Sequence, residues 1–142
     1  MAVERVGRWE ATFVPEAGAA RRARLMLQDA LRDAGVDARV ANDALLVLGE
    51  FVTNALRHAR TEFSVSATTG KGILRVEVFD HDTRPPALMG LDSESTSGRG
   101  LHIVSAIASD WGWHTAEEEN GVSGKVVWAE LALGAPEQPR QP

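Results

Sequence analysis

The sequence predicts an α+β domain, a two-layer α/β sandwich whose mixed, mainly antiparallel sheet carries helices on one face. Three observations predict it. Two pairs of segments with alternating apolar residues are each joined by a short polar turn, which favours antiparallel hairpins. Two long segments near the N-terminus repeat their apolar residues at helical spacing. A sheet and helices that are each apolar on one side must bury those sides against one another.

The elements follow in order. Trp9, Ala11 and Phe13 alternate with polar neighbours and read as a short strand ended by Pro15. Over 16–34, Ala20, Ala23, Leu27, Ala30, Leu31 and Ala34 recur at helical spacing, with Pro15 suited to the start and Gly35 to the C-cap. A second helix is predicted over 38–59. Phe63, Val65 and Ala67 alternate, as do Leu74, Val76 and Val78, and Gly70-Lys71-Gly72 between them reads as a hairpin turn. The segment 80–97 has two prolines, a glycine, many small polar residues and no period. It reads as a loop longer than ordinary connections, a class usually functional or mobile. A short helix is predicted over 101–109, then strands over 111–116 and 125–133, joined by the polar stretch EEENGVSG. Residues 1–133 make one domain, and 134–142, GAPEQPRQP, read as a disordered tail.

Composition narrows the function. The chain has 142 residues, enough for one domain with one core, and 44% hydrophobic residues. Its net charge is −5 and no Lys/Arg cluster suggests a phosphate-backbone track, so direct nucleic-acid binding is not expected. The absence of cysteine excludes disulfides and thiolate metal sites. The N-terminus lacks the apolar core of a signal peptide, and no apolar run approaches the roughly 20 residues of a membrane span. A cytoplasmic protein with no membrane partner is the expectation.

Three constellations carry candidate chemistry. In GEFVTNALRHA, residues 49–59, Leu45, Leu48, Val52, Ala55, Leu56 and Ala59 share one helical face, while Glu50, Asn54 and His58 form a narrow row nearly opposite. That row is either a solvated face or a site. Val47 and Phe51 beside it argue against a uniformly wet surface, and a mid-helix asparagine, a modest helix former, needs another reason to be there. A carboxylate, an amide and a histidine so placed could hold a hard cation and position a nucleophile. In SGRGLHIV, residues 97–104, two glycines at a helix start let backbone N–H groups approach an anion, or simply loosen a loop. In VEVFDHD, residues 76–82, Asp80 either accepts a hydrogen bond from a buried amine or begins a turn.

Four motifs occur in one order: ExxxNAxxHA at 50–59, FDHD at 79–82, GRGLHIV at 98–104 and GKVVWAEL at 124–131. Together they resemble the Bergerat-type ATP-binding fold shared by gyrase-type ATPases, the Hsp90 chaperone, histidine kinases and MutL. They are most similar to its stand-alone branch, the anti-sigma factors that are also serine/threonine protein kinases. The resemblance implies Asn54 as ligand to Mg²⁺ on the ATP phosphates and Glu50 as general base. It implies Asp80 as anchor of the adenine amine, and Gly98, Arg99, Gly100 and Leu101 at the phosphates. His58 would lie near the phosphates or at the helix end, and 81–97 would form a lid. The cofactors implied are ATP and Mg²⁺. The implied partners are a sigma factor, a small antagonist (anti-anti-sigma) protein or both, and the resemblance favours a homodimer. The helix over 16–34 is a candidate partner surface because it is long and amphipathic.

Two departures stand out. Asp82 replaces the glycine of the wider pattern Asp-x-Gly, and Val126 stands where a threonine often follows Gly-Lys. The second would remove a hydroxyl from the adenine contacts and weaken ATP binding by about 0.5–1.5 kcal/mol without abolishing it. These departures motivate an alternative from another class: a catalytically inactive nucleotide-binding module that sequesters a regulatory partner. A detached histidine-kinase half fits less well. The first 35 residues hold no phosphoacceptor-histidine hairpin, since the histidines are His58, His81, His102 and His114.

Overall fold

A computed structural model of the chain describes residues 7–86, 98–118 and 121–134. The element order is β1 (Gly7–Phe13), α1 (Ala19–Asp33), α2 (Ala38–Asn54), a π turn (Ala55–Ala59), β2 (Phe63–Gly70), β3 (Ile73–Asp80), α3 (Gly98–Ile107), β4 (Asp110–Glu118) and β5 (Gly121–Ala132). The five strands form one sheet in the order β1-β2-β3-β5-β4, and each pairing is antiparallel. The α+β class and the mainly antiparallel pairing expected from the sequence are borne out, and no parallel pair is present among the described strands. Hairpins supply β2–β3 and β4–β5, and the crossover through α3 returns β5 beside β3.

The sheet's inner face is set by strict alternation. Phe13, Phe63, Val65, Ala67, Leu74, Val76, Val78, Val127, Ala129 and Leu131 are buried on it. Against it pack Ala19, Ala23, Leu27 and Leu31 of α1, much of α2, and Val104 of α3. Phe13 and Phe63, paired across β1 and β2, stack with centroids 5.4 Å apart. The outer face is polar, and there Arg75 pairs with Glu77 and Glu130 while lying over the Trp128 ring.

Local chemistry accounts for the ends. At the C-terminus of α1, Gly35 takes a positive φ of 76°. Its N–H donates to the Arg32 carbonyl and that of Val36 to Leu31, the paired bonds of a Schellman motif. Asp37 caps α2 by accepting from the Arg39 N–H at 2.8 Å. Lys71 and Gly72 both have positive φ, as a two-residue type I′ turn between right-twisted strands requires.

The starts of three elements show the clearest departures from expectation, while α2 is α-helical only to Asn54 and β4 spans Asp110–Glu118 against the predicted 111–116. Helix α1 starts at Ala19, not 16, because Gly18 is left-handed and breaks the run after Pro15. Helix α3 starts at Gly98, so the glycines form its first turn instead of preceding it. Strand β5 starts at Gly121, and the longer β4–β5 hairpin absorbs its extra residue as an irregularity between Ala116 and Glu117. The lid segment beyond 86 and the tail beyond 134 lie outside the described residues.

Candidate functional site

The site is built at one end of the sandwich. Helix α2 lies on the inner face and runs directly into the π turn, whose C-cap Arg60 is left-handed with its N–H bonded to the Ala55 carbonyl. Strand β2 begins at Phe63, and Phe63 pairs with Asp80, the last residue of β3. The C-terminal end of α2 and the C-terminal end of β3 therefore share an edge. A hydrogen bond from the His81 N–H to Thr61 Oγ1, 3.1 Å, ties them together.

Helix α2 is buried on more sides than its leucine stripe suggested. Val47 and Phe51 are as buried as Leu48 and Val52, whereas Leu46 is half exposed. The row holding Glu50 and Asn54 is thus hemmed in, and both residues are half-buried. Asn54 Oδ1 is buried without a hydrogen-bond partner, the one such side-chain atom among the described residues. A buried amide oxygen left unpaired costs about 1–3 kcal/mol, a cost that a bound cation or a water would offset. An oxygen of this kind suits a hard cation, which takes oxygen ligands. Among the described residues no group of three or more His, Asp or Glu could hold a metal. A magnesium ion would therefore take its remaining ligands from phosphate and water, its usual habit at nucleotide sites.

His58 sits in the π turn. The wider turn breaks the strict spacing that aligned it with Asn54, and its side chain lies outside what the structure describes. In the run Gly98, Arg99, Gly100 and Leu101, the side chains of Arg99 and Leu101 likewise lie outside what the structure describes. Their backbone forms the first turn of α3, where free N–H groups and the helix dipole favour an anion.

Asp80 is buried on the inner face, only 3% exposed. Its Oδ1 accepts from the Asp82 N–H at 2.9 Å and from Lys125 Nζ at 3.0 Å. Lys125 is itself 2% exposed, and its Nζ also donates to the Asp82 carbonyl at 3.3 Å. Asp82, at the position of the missing glycine, is held by Arg84 through three of its guanidinium–carboxylate contacts. Those bonds hold its carboxyl well below the ordinary carboxylate range, at about 2, against the opposing effect of burial.

The expectation at Val126 is corrected. Val126 pairs with Phe79 and His114 and lies between buried Lys125 and Val127. Successive side chains of a strand point to opposite faces, so residue 126 faces away from Asp80. A hydroxyl there would not reach a base bound at Asp80, and its loss is no reason for weaker binding. Lys125, directly opposite Asp80 in the β3–β5 register, holds the inner position instead.

Sequence reasoning passed over Lys125, Gly124 and Thr61. Lys125 did carry a signal, because a lysine falls on the apolar phase of Val127, Ala129 and Leu131. Gly124 is required by close approach: a Cβ there would lie 1.8 Å from the Asp80 carbonyl oxygen. On the expected partner surface, α1 leaves Leu25 and Met26 exposed. Beside them a cavity of about 490 Å³, lined by Arg21, Arg24, Leu25 and Thr53 among others, opens between α1 and α2. No described helix is long and apolar enough to cross a membrane.

No sequence match is found among curated proteins. Among the solved structures that share the fold are two of different origin. One holds the RsbU and RsbW domains of Rv1364c from Mycobacterium tuberculosis, with a TM-score of 0.68 and 22% identity over 92% of this chain. This chain spans 33% of that one. The other is the SiaB–SiaC complex from Pseudomonas aeruginosa, with a TM-score of 0.62 and 13% identity over 87% of this chain and 89% of that one. Residues 13–130, from the stacked Phe13 to the Glu130 that clasps Arg75, match the histidine kinase-like ATPase domain, and the chain belongs to that family.

Proposed function

We propose that this protein is an Mg²⁺-ATP-dependent serine/threonine kinase that phosphorylates a small antagonist protein and, when the antagonist is absent, binds a sigma factor or similar regulatory partner. The observation that carries the proposal is Asn54 Oδ1, a buried oxygen without a donor one helical turn after Glu50. Family membership and the presence of Asp80 and the α3 N-terminus at the same motif positions support it. Of the two similar structures, one holds RsbU and RsbW domains in a single protein and the other is a SiaB–SiaC complex, which supports a protein partner.

When bound, Mg²⁺-ATP supplies an electrophilic terminal phosphoryl group. Asn54 would give the magnesium its protein oxygen, Asp80 would accept a hydrogen bond from the adenine amine, and the first-turn N–H groups of α3 would hold the phosphates. Glu50 would take the proton of the partner's hydroxyl as that oxygen attacked the terminal phosphorus and the bond to the leaving ADP oxygen broke. Asp82 is engaged with Arg84 and needs no part in this.

The test is capture of partners on the immobilised protein with and without Mg²⁺-ATP, followed by mapping of phosphorylated residues on whatever is captured. Phosphoserine or phosphothreonine on a captured protein, lost with Glu50→Ala, is the expected result. ATP binding with no transfer to any captured partner overturns the kinase half and leaves the sequestering module.

A further inference from the structure

The buried pair Asp80–Lys125 is expensive for what it contributes to packing. Both side chains are nearly sealed from water, 4% and 2% exposed, and they join strands 45 residues apart in the chain. Replacing a buried ion pair with apolar residues of similar volume is often neutral or stabilising, so stability alone is a weak reason to keep one. The remaining inner positions of β5 are plain apolar residues, Val127, Ala129 and Leu131.

The division of contacts suggests another reason. Both bonds to Asp80, from Lys125 Nζ and from the Asp82 N–H, fall on Oδ1. Among the described residues none falls on Oδ2. Lys125 also holds the Asp82 carbonyl, which pins the backbone leaving β3. The carboxylate is thereby fixed in rotation with one oxygen spent and one available.

We propose that Lys125 is a positioning residue for base recognition: by clamping Asp80 Oδ1 it presents Oδ2 as an acceptor for the amine of a 6-aminopurine. The inference rests on the ATP-binding reading above and adds to it the group that makes the site selective for an amine. A site built around a buried acceptor rejects analogues that cannot donate, because the acceptor is then left unpaired.

Calorimetric titration with Mg²⁺-ATP and with the triphosphate of purine riboside, which lacks the 6-amino group, tests it. The wild type is expected to favour ATP by about tenfold. In Lys125→Met that ratio should fall to within about threefold, through loss of ATP affinity, while the affinity for the amine-free triphosphate changes little. A merely structural lysine would lower both affinities together and preserve the ratio, and that result overturns the proposal. If Lys125→Met does not fold, the apolar pair Asp80→Leu with Lys125→Met leaves no buried charge. It is expected to bind both triphosphates equally, and a retained tenfold preference overturns the proposal. A wild type that binds neither nucleotide sinks the ATP reading and this inference together. A wild type with the tenfold preference that Lys125→Met keeps sinks this inference alone.

Discussion

Replacing Gly124 with alanine should damage the fold and the site in one step. The added Cβ would sit 1.8 Å from the Asp80 carbonyl oxygen, 2.8 Å from its carbonyl carbon and 2.9 Å from the His81 Cα. All three obstacles are backbone, so no side chain can swing aside. Relief requires β5 to move from the end of β3 by more than about 1 Å, which is the scale on which overpacking costs about 1–3 kcal/mol. The same movement stretches the 3.0 Å Lys125–Asp80 contact and leaves two buried charges imperfectly paired. A total of about 3 kcal/mol follows. For a domain of this size about 4 °C is lost per kcal/mol, so the melting temperature should fall by about 12 °C. Thermal unfolding by circular dichroism measures this, with Mg²⁺-ATP titration at a temperature where the variant stays folded. ATP affinity should drop by at least tenfold even there, because Asp80 is displaced. A variant melting within about 3 °C of the wild type, with unchanged affinity, would refute the claim that this glycine lets β5 approach Asp80.

Other outcomes test separate links. Asn54→Ala should not destabilise the fold and should raise its stability by about 1 kcal/mol, since it removes a buried oxygen that has no partner among the described residues. It should lower Mg²⁺-ATP affinity by about tenfold or more, and a variant with wild-type affinity by titration would remove Asn54 from the site. Val126→Thr should change ATP affinity less than about twofold, because position 126 faces away from Asp80; a tenfold gain would contradict the strand register. Glu50→Gln should keep nucleotide affinity while phosphate transfer, read by phosphosite mapping, falls at least about a hundredfold. The Asp82 carboxyl is held at about 2, below its ordinary 3.8. Its pair with Arg84 therefore stabilises the fold fully above about pH 4 and loses that effect as pH falls toward 2. The melting-temperature gap between wild type and Asp82→Asn should be constant from pH 7 to 5 and close below pH 4; a gap unchanged at pH 2.5 would show the pair is not formed.

Much of the fold was legible because its signals are local. Gly35 ends α1 in the predicted way, since a left-handed C′ residue is a property of that residue and its neighbours. The Lys71-Gly72 turn is legible for the same reason, and it sets the β2–β3 register. The start of α1 was misplaced because Gly18, three residues after a plausible N-terminal proline, imposes a left-handed step that periodicity does not register. In the candidate site, Glu50, Asn54 and Asp80 are legible in the sequence as motif positions. What each does with its polar atoms was not legible, since that depends on neighbours distant in the chain.

The sequence alone determined the order of the elements, the antiparallel hairpins, the apolar faces and the motif residues, since each depends on a few consecutive side chains. Tertiary structure decided that Asn54 Oδ1 is left without a donor, that Gly124 must be a glycine, and that Lys125 and not Val126 faces Asp80. The last of these has a simple cause. A strand shows its residues to alternate faces, and a shift of one residue in pairing exchanges them. The β3–β5 register joins segments 45 residues apart, and it is set by the packing of the whole sheet rather than by any motif within either strand.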